Sequence, residues 1–545
     1  MRLALPPVSL IALTLAAGAA TPALAEMDLS TLDTEALMEL RPAATALAEA
    51  GRRYNAEAPI PPQCYTKIEG VHNPCYVCHQ SYDEADRPNF MLDGALQEAY
   101  AFSDAGMTNH HVNLFIDRSK DVAAISDAEI LAWIEGDNYS DLAETLEAEG
   151  FEGWIPDLEG YENAAEAFDA EGLSKDGTWW VAFNYKPQPS TFWPTNGSTD
   201  DVIIRLAPKF YTDAAGAESR DVYFANLALL EMAFQDLEQI TLPSVDERVI
   251  GVDIDGDGTL GAATEMNRRE SYLGAAEGHP VVRMIYPEGT EFLHSVRYVG
   301  VTEDGGIEVA TRMKELRYMK KSRELSIPSI ASRYGNERQE KADENLPKYI
   351  DLGDAGMDNG LGWTLLAFIE DADGSLRRQT NEETFFCRGC HTSAGANIDQ
   401  TWAFPRKITG AEGWGYIDLK SQTDVPNVGE EMGEIALYLT RAGGGDEFRS
   451  NTEMLEKWFT EDGKVDLAKM EGKTVYDLIT PTRERALTLN KAYRVIVGEQ
   501  SFLFGRDATV TPPVNVYAHI DDATAPTLQE GYRYSHDIRL NWLGQ

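Results

Sequence analysis

The chain has 545 residues, 43% of them hydrophobic and 10% aromatic, which is enough to bury cores in two to four domains. Its 90 acidic residues against 47 basic ones give a formal charge of −43, a field that repels nucleic acid and anionic lipid and favours a basic partner.

At the amino terminus, Arg2 precedes an apolar run that ends in Ala23-Leu24-Ala25, the pattern of a cleavable signal peptide over residues 1–25. No cysteine follows that site, so a lipid anchor is not expected, and no later stretch reaches the roughly 18 apolar residues of a membrane span. The expectation is a soluble, periplasmic protein with no integral membrane segment after signal cleavage. Residues 34–54 carry Leu37, Leu40, Ala44, Leu47 and Ala48 at helical spacing. Ser126 with Glu129 forms a capping box ahead of a helix face made by Ile130, Leu131, Trp133 and Ile134.

Further along, residues 203–206, 281–286, 292–299 and 307–310 alternate apolar with polar side chains, and Glu303-Asp304-Gly305-Gly306 reads as a hairpin turn. Helices are predicted at 222–237 and near 311–321. Residues 361–374 read as a strand and a turn, residues 428–439 as a helix, and residues 481–497 as another.

Four of the five cysteines lie in two CxxCH pentads, Cys75-Tyr76-Val77-Cys78-His79 and Cys387-Arg388-Gly389-Cys390-His391. Two thiols one helical turn apart suit thioether bonds to porphyrin vinyl groups, and the adjacent histidine supplies an iron ligand, so two covalently bound haem c groups are expected. A zinc ribbon would place its CxxC pairs about 15–20 residues apart, whereas these stand roughly 310 apart. A thioredoxin-like pair needs no trailing histidine.

The helix before the first pentad, the pentad and the helix after it resemble the small class I cytochrome c fold. Residues 428–439 resemble that fold's closing helix. The chain is therefore identified as resembling dihaem c-type cytochromes. That resemblance implies a mixed fold, with two mainly α cytochrome c-like haem domains and a large β-rich (α+β) region between them. The corresponding limits are 26–145 for haem domain 1, 146–350 for the middle region, 351–450 for haem domain 2 and 451–545 for a C-terminal helical or irregular extension. It implies periplasmic electron transfer with a redox partner protein. The alternative is a dihaem oxidoreductase, peroxidase- or oxygenase-like, with one open haem; a third option is a binding or sensor module in which haem is structural.

The sixth iron ligand decides between these readings. Met91, Met107, His110 and His111 are the candidates for the first haem, and Met432 is the candidate for the second. Cys64, the odd thiol, is free, intermolecular or an iron ligand. Asp253, Asp255, Asp257 and Thr259 alternate through Asp253-Ile-Asp-Gly-Asp-Gly-Thr259, with Glu265 one place later than a bidentate ligand should fall. This is either a Ca2+ loop or a solvated acidic turn. The aromatic stretch at residues 177–197 reads as core or pocket lining, and His294 as a core histidine sharing a strand face with Phe292 and Val296.

Overall fold

The computed structural model describes residues 35–39, 41, 60–66, 72, 74–80, 102, 105–184, 192–343, 350–392, 395, 397–402, 414–442, 451–520 and 530–541. The signal segment, Met91 and most of the helix expected at 34–54 lie outside the described residues.

The strands are β1 (Val181–Asn184), β2 (Thr199–Asp200), β3 (Val202–Arg205), β4 (Gln239–Asp246), β5 (Ala262–Asn267) and β6 (Glu291–Val301). They continue with β7 (Ile307–Lys321), β8 (Ile350–Asp351), β9 (Met357–Asp358), β10 (Trp363–Glu370) and β11 (Leu376–Arg378). Among the described residues, nine of them form one sheet in the order β1-β3-β6-β7-β10-β9-β8, with β2 on β6 and β11 on β10, while β4 and β5 make a separate ribbon. Every pairing is antiparallel.

The period of two along these strands builds a core on each side of the sheet. Phe292, Met319 and Leu365 face one core, and their neighbours Leu293, Tyr318 and Leu366 face the other. Six helices matter for the site: α1 (Asp127–Ile134), α2 (Arg220–Gln235), α3 (Ile327–Ala342), α4 (Asn381–Cys390), α5 (Glu434–Ala442) and α6 (Arg483–Glu499). Every residue of α2 from Val222 to Phe234 is buried, because the helix packs in the first core with residues of the sheet and of the β4–β5 ribbon. Helix α1 begins at the expected Ser126–Glu129 capping box, and α6 lies against β6, where Asn490 bonds both the N–H and the C=O of Val299.

Two mainly α cytochrome c-like domains are not what folds. Strand β10, from the stretch assigned to the second haem domain, pairs residue for residue with β7 of the middle region, Trp363 opposite Lys321 and Ile369 opposite Glu315. The class I reading rested on local helical spacing, whereas the architecture is set by a non-local antiparallel pairing that such spacing does not report. The helix expected near 311–321 is the second half of β7. Its residues are good helix formers, but β6 on one side and β10 on the other satisfy its backbone, and this tertiary pairing overrides propensity. Residues 281–286, expected as a strand, run as an irregular segment with Met284 at φ 55°.

Candidate functional site

The second pentad closes a helix. Helix α4 starts at a capping box formed by Thr380 and Glu383 and ends in the turn that carries Cys387 and Cys390, so the two thiols lie three residues apart on one face, with His391 at the C-cap. The His391 ring nitrogen Nδ1 bonds the Gln400 carbonyl at 2.9 Å, which leaves Nε2 as the ring's free electron pair. Burial lowers the His391 imidazole to about 4; the Gln400 carbonyl opposes that shift, and Arg317 and His294 add to it.

That carbonyl is held in place by a turn with two non-glycine residues in the left-handed region, Asp399 at φ 49° and Gln400 at φ 59°. Lys321 Nζ, at the end of β7, bonds both Asp399 carboxylate oxygens at 2.6 and 2.7 Å, and both side chains are fully buried. Burial pushes Lys321 down and Asp399 up, and each opposes the other's shift. The backbone N–H of Tyr286 donates to the same carboxylate, so two separate segments fix the turn.

The first pentad is held by other means. Residues Pro74–Val77 form a single 3-10 turn, in which Cys78 and His79 both donate to the Cys75 carbonyl. Tyr76 anchors it: its ring packs between Tyr438, Tyr534 and His536, and its hydroxyl donates to the Tyr438 carbonyl on α5 at 3.2 Å. Cys64, on the turn Pro62–Tyr65, joins the two pentads. A hydrogen bond with Cys75, burial, and the nearby thiols of Cys75, Cys78 and Cys390 all push Cys64 well above the usual thiol value. Burial and Cys387 raise Cys390 to about 11, with Arg317 opposing.

The sulfurs do not close on one ion. Among the described residues, the group whose ligand atoms all lie within 4.8 Å of one another is Glu247, Asp253 and Asp255.

The candidate distal ligands lie elsewhere than chain order suggests. The His111 ring packs edge-on against Phe386 of α4 at 5.4 Å and bonds the Ile60 carbonyl, so it lies beside the second pentad. Gly505 lies beside it, and its φ of 114° is a backbone conformation that favours glycine. His110 is lowered to about 4 by burial and then by His111. Met107 is half-buried, and its carbonyl accepts from Ile520. Met432 packs into the cluster of Tyr76 and Val77, beside the first pentad, with its sulfur 3.6 Å from the Thr440 hydroxyl.

Two partly buried guanidiniums complete the second site. Arg317 of β7 and Arg506 both donate to Glu315 Oε2, at 2.9 and 2.8 Å. Burial raises the Cys387 thiol, and these two cations pull against that rise. His294 pairs with Asp200 at 3.2 Å and packs edge-on against Phe192, so it is a satisfied, partly buried histidine. Of the aromatic stretch, Trp180 and Phe183 are core, while Trp193 contacts Tyr438 at 5.2 Å.

The acidic loop folds on itself through backbone donors. Asp253 accepts from Gly256 and Gly258, Asp255 from Asp257, and Asp257 from Thr259. Glu265 points away from the loop, in β5 opposite Thr241, and receives Gln239 at 3.4 Å. Its expected place is taken by Glu247, whose carboxylate accepts from Ile254 and Gly261. Sequence spacing gave no sign of Glu247, because it precedes the loop. Nor did it reveal Arg317, Arg506, Lys321 or Asp399, which meet beside the pentad only in the folded chain.

A family model described as a "-like lipoprotein" matches residues 49–468. An "Uncharacterized lipoprotein" of Aquifex aeolicus (strain VF5) is 33% identical over 518 residues, spanning 84% of this chain and 86% of that protein. No solved structure matches. These matches overturn the identification as a dihaem c-type cytochrome. They equally remove support for the electron-transfer role and for the oxidoreductase alternative. A lipoprotein family is one of exported proteins, and among the described residues no helix is long and apolar enough to cross a membrane. The chain belongs to this lipoprotein-like family.

Proposed function

We propose that the protein is an exported, periplasmic haem-binding protein that carries one c-type haem on each pentad, inside a sheet-centred scaffold unlike that of cytochrome c. One observation carries the reading. His391 follows the helical turn of Cys387 and Cys390, with Nδ1 tied to a carbonyl and Nε2 left for iron. The first pentad repeats the thiol spacing on a tighter turn.

When bound on Cys387, Cys390 and His391, an iron porphyrin would supply a metal centre able to take a small ligand. The chain's own residues orient His391 through Gln400 and Asp399 and present His111 beside α4. The acidic surface favours a basic partner through a field that salt weakens.

The test is the full-length protein, produced in a periplasm competent for haem attachment. Two haems per chain by pyridine haemochrome, retained after denaturing electrophoresis, are expected, falling to one in Cys390→Ala. A chain that matures with no covalent haem and instead binds zinc or copper through its thiols overturns the reading.

Ca2+ is proposed at Glu247, Asp253, Asp255 and Asp257, with Thr259 closing the loop. The hydrogen bond from the Asp257 N–H holds Asp255 down. Slight desolvation and the like charges of Asp257, Glu247 and Asp253 outweigh it and leave the carboxyl raised, a repulsion that a divalent cation relieves. At about 100 times its Kd, Ca2+ would stabilise the fold by about 2.7 kcal/mol, read as a rise in Tm that Asp253→Asn abolishes.

A further inference from the structure

Beside the second pentad the chain holds two arginines on one carboxylate. Arg317 and Arg506 share a single carboxylate oxygen of Glu315, and Gln379 donates to that oxygen as well, at 3.0 Å. Each guanidinium lies against an aromatic ring, Arg317 5.2 Å from the centre of Phe192 and Arg506 4.7 Å from that of Phe386. Phe386 is the residue before Cys387, and Arg506 also donates to the Glu383 carbonyl in the same helix, so this cation is anchored to the helix that bears the thiols.

Two other acids nearby are already engaged. Glu383 is engaged by Arg377 through both carboxylate oxygens, and Asp200 is bonded to His294 and held up by burial. The Nε of Arg506 is buried with no hydrogen-bond partner. Two cations held on one carboxylate, both only partly exposed, leave a positive charge that a second anion would offset. Arginine forks match a carboxylate in particular, through paired charge-assisted bonds.

We infer that Arg317 and Arg506 form a docking site for a carboxylate of the porphyrin carried by Cys387 and Cys390, with Glu315 holding the two forks in register. This inference rests on haem attachment at that pentad. The two arginines are positioning residues: they orient the macrocycle over His391 and do not touch iron. The same chemistry would accept a free anion such as inorganic phosphate, and the experiment separates the two.

The full-length holoprotein is compared with Arg506→Gln and Arg506→Lys by resonance Raman spectroscopy, following the propionate bending bands. One haem's band should shift in Arg506→Gln and be partly restored in Arg506→Lys, while the other haem's band stays fixed. A second measurement uses the full chain with Cys387→Ala and Cys390→Ala, in which haemin binds at His391 without thioether bonds. Haemin should bind about 10–100-fold more tightly than its dimethyl ester, and Arg506→Gln should erase the difference.

Unshifted bands, or equal binding of acid and ester, overturn the docking site while leaving haem attachment standing. Competition by inorganic phosphate that lowers ester and acid binding alike assigns the cradle to a free anion and likewise overturns it. A wild-type chain with no covalent haem defeats the prior reading, and it is seen before either measurement begins.

Discussion

The two pentads are the same five-residue pattern held in opposite ways. The second sits at the end of a capped ten-residue helix, is tied to the sheet through Lys321 and Asp399, and has both guanidiniums beside it. The first sits in a four-residue turn whose anchor is one tyrosine packed against α5 and residues of the carboxyl-terminal segment. The motif determines which atoms are offered. The scaffold determines how rigidly and in what field they are offered.

Breaking the strong side of that contrast should cost most. Lys321→Met leaves Asp399 charged and unpaired in the interior and should destabilise the protein by about 3–5 kcal/mol in urea unfolding. Glu315→Gln should come next. Burial alone would raise the Glu315 carboxyl, but Arg317 and Arg506 outweigh it and hold it at about 2, against 4.5 for the unfolded group.

A lowered folded value stabilises at neutral pH, in full above 4.5, and that contribution fades as pH falls toward 2. The wild type should therefore lose about 3 kcal/mol across that window, and Glu315→Gln should remove most of the dependence. Denaturant midpoints at pH 7 and pH 3 supply the check. Smallest is Tyr76→Phe at the first pentad, which deletes one hydroxyl bond to the Tyr438 carbonyl and should cost about 1 kcal/mol. A Tyr76→Phe loss equal to that of Lys321→Met would mean that the two supports are equally stiff.

What the sequence made legible follows from range. The Ser126 capping box, the apolar run of α2, the turn at Glu303–Gly306 and the strand at 363–370 are all written in neighbouring residues, and all appear. The second half of β7 was not legible, since Met313, Lys314, Glu315 and Leu316 favour a helix until β6 and β10 flank them. The candidate site divides in the same way. Its thiols and histidines are contiguous and could be named, and so could the acidic loop.

The residues that tune the site could not. Lys321 meets Asp399 across 78 positions, and Arg506 meets Glu315 across 191. Local likeness to a closing helix also misled: α5 exists, but it packs against Tyr76 of the first pentad rather than completing a domain around the second.

The position of Cys64 between both pentads also bears on the order of assembly. A chain threaded across a membrane from its amino terminus delivers Cys64, Cys75 and Cys78 roughly 310 residues before Cys387 and Cys390 arrive. Until then the other thiols on the emerged chain are those of this early group, and in the folded protein Cys64 is hydrogen-bonded with Cys75. In an oxidising compartment that pair is the first that could be joined wrongly. Attachment of a group to Cys75 and Cys78 before the later thiols arrive would remove that competing pair, so the timing of export would bear on maturation.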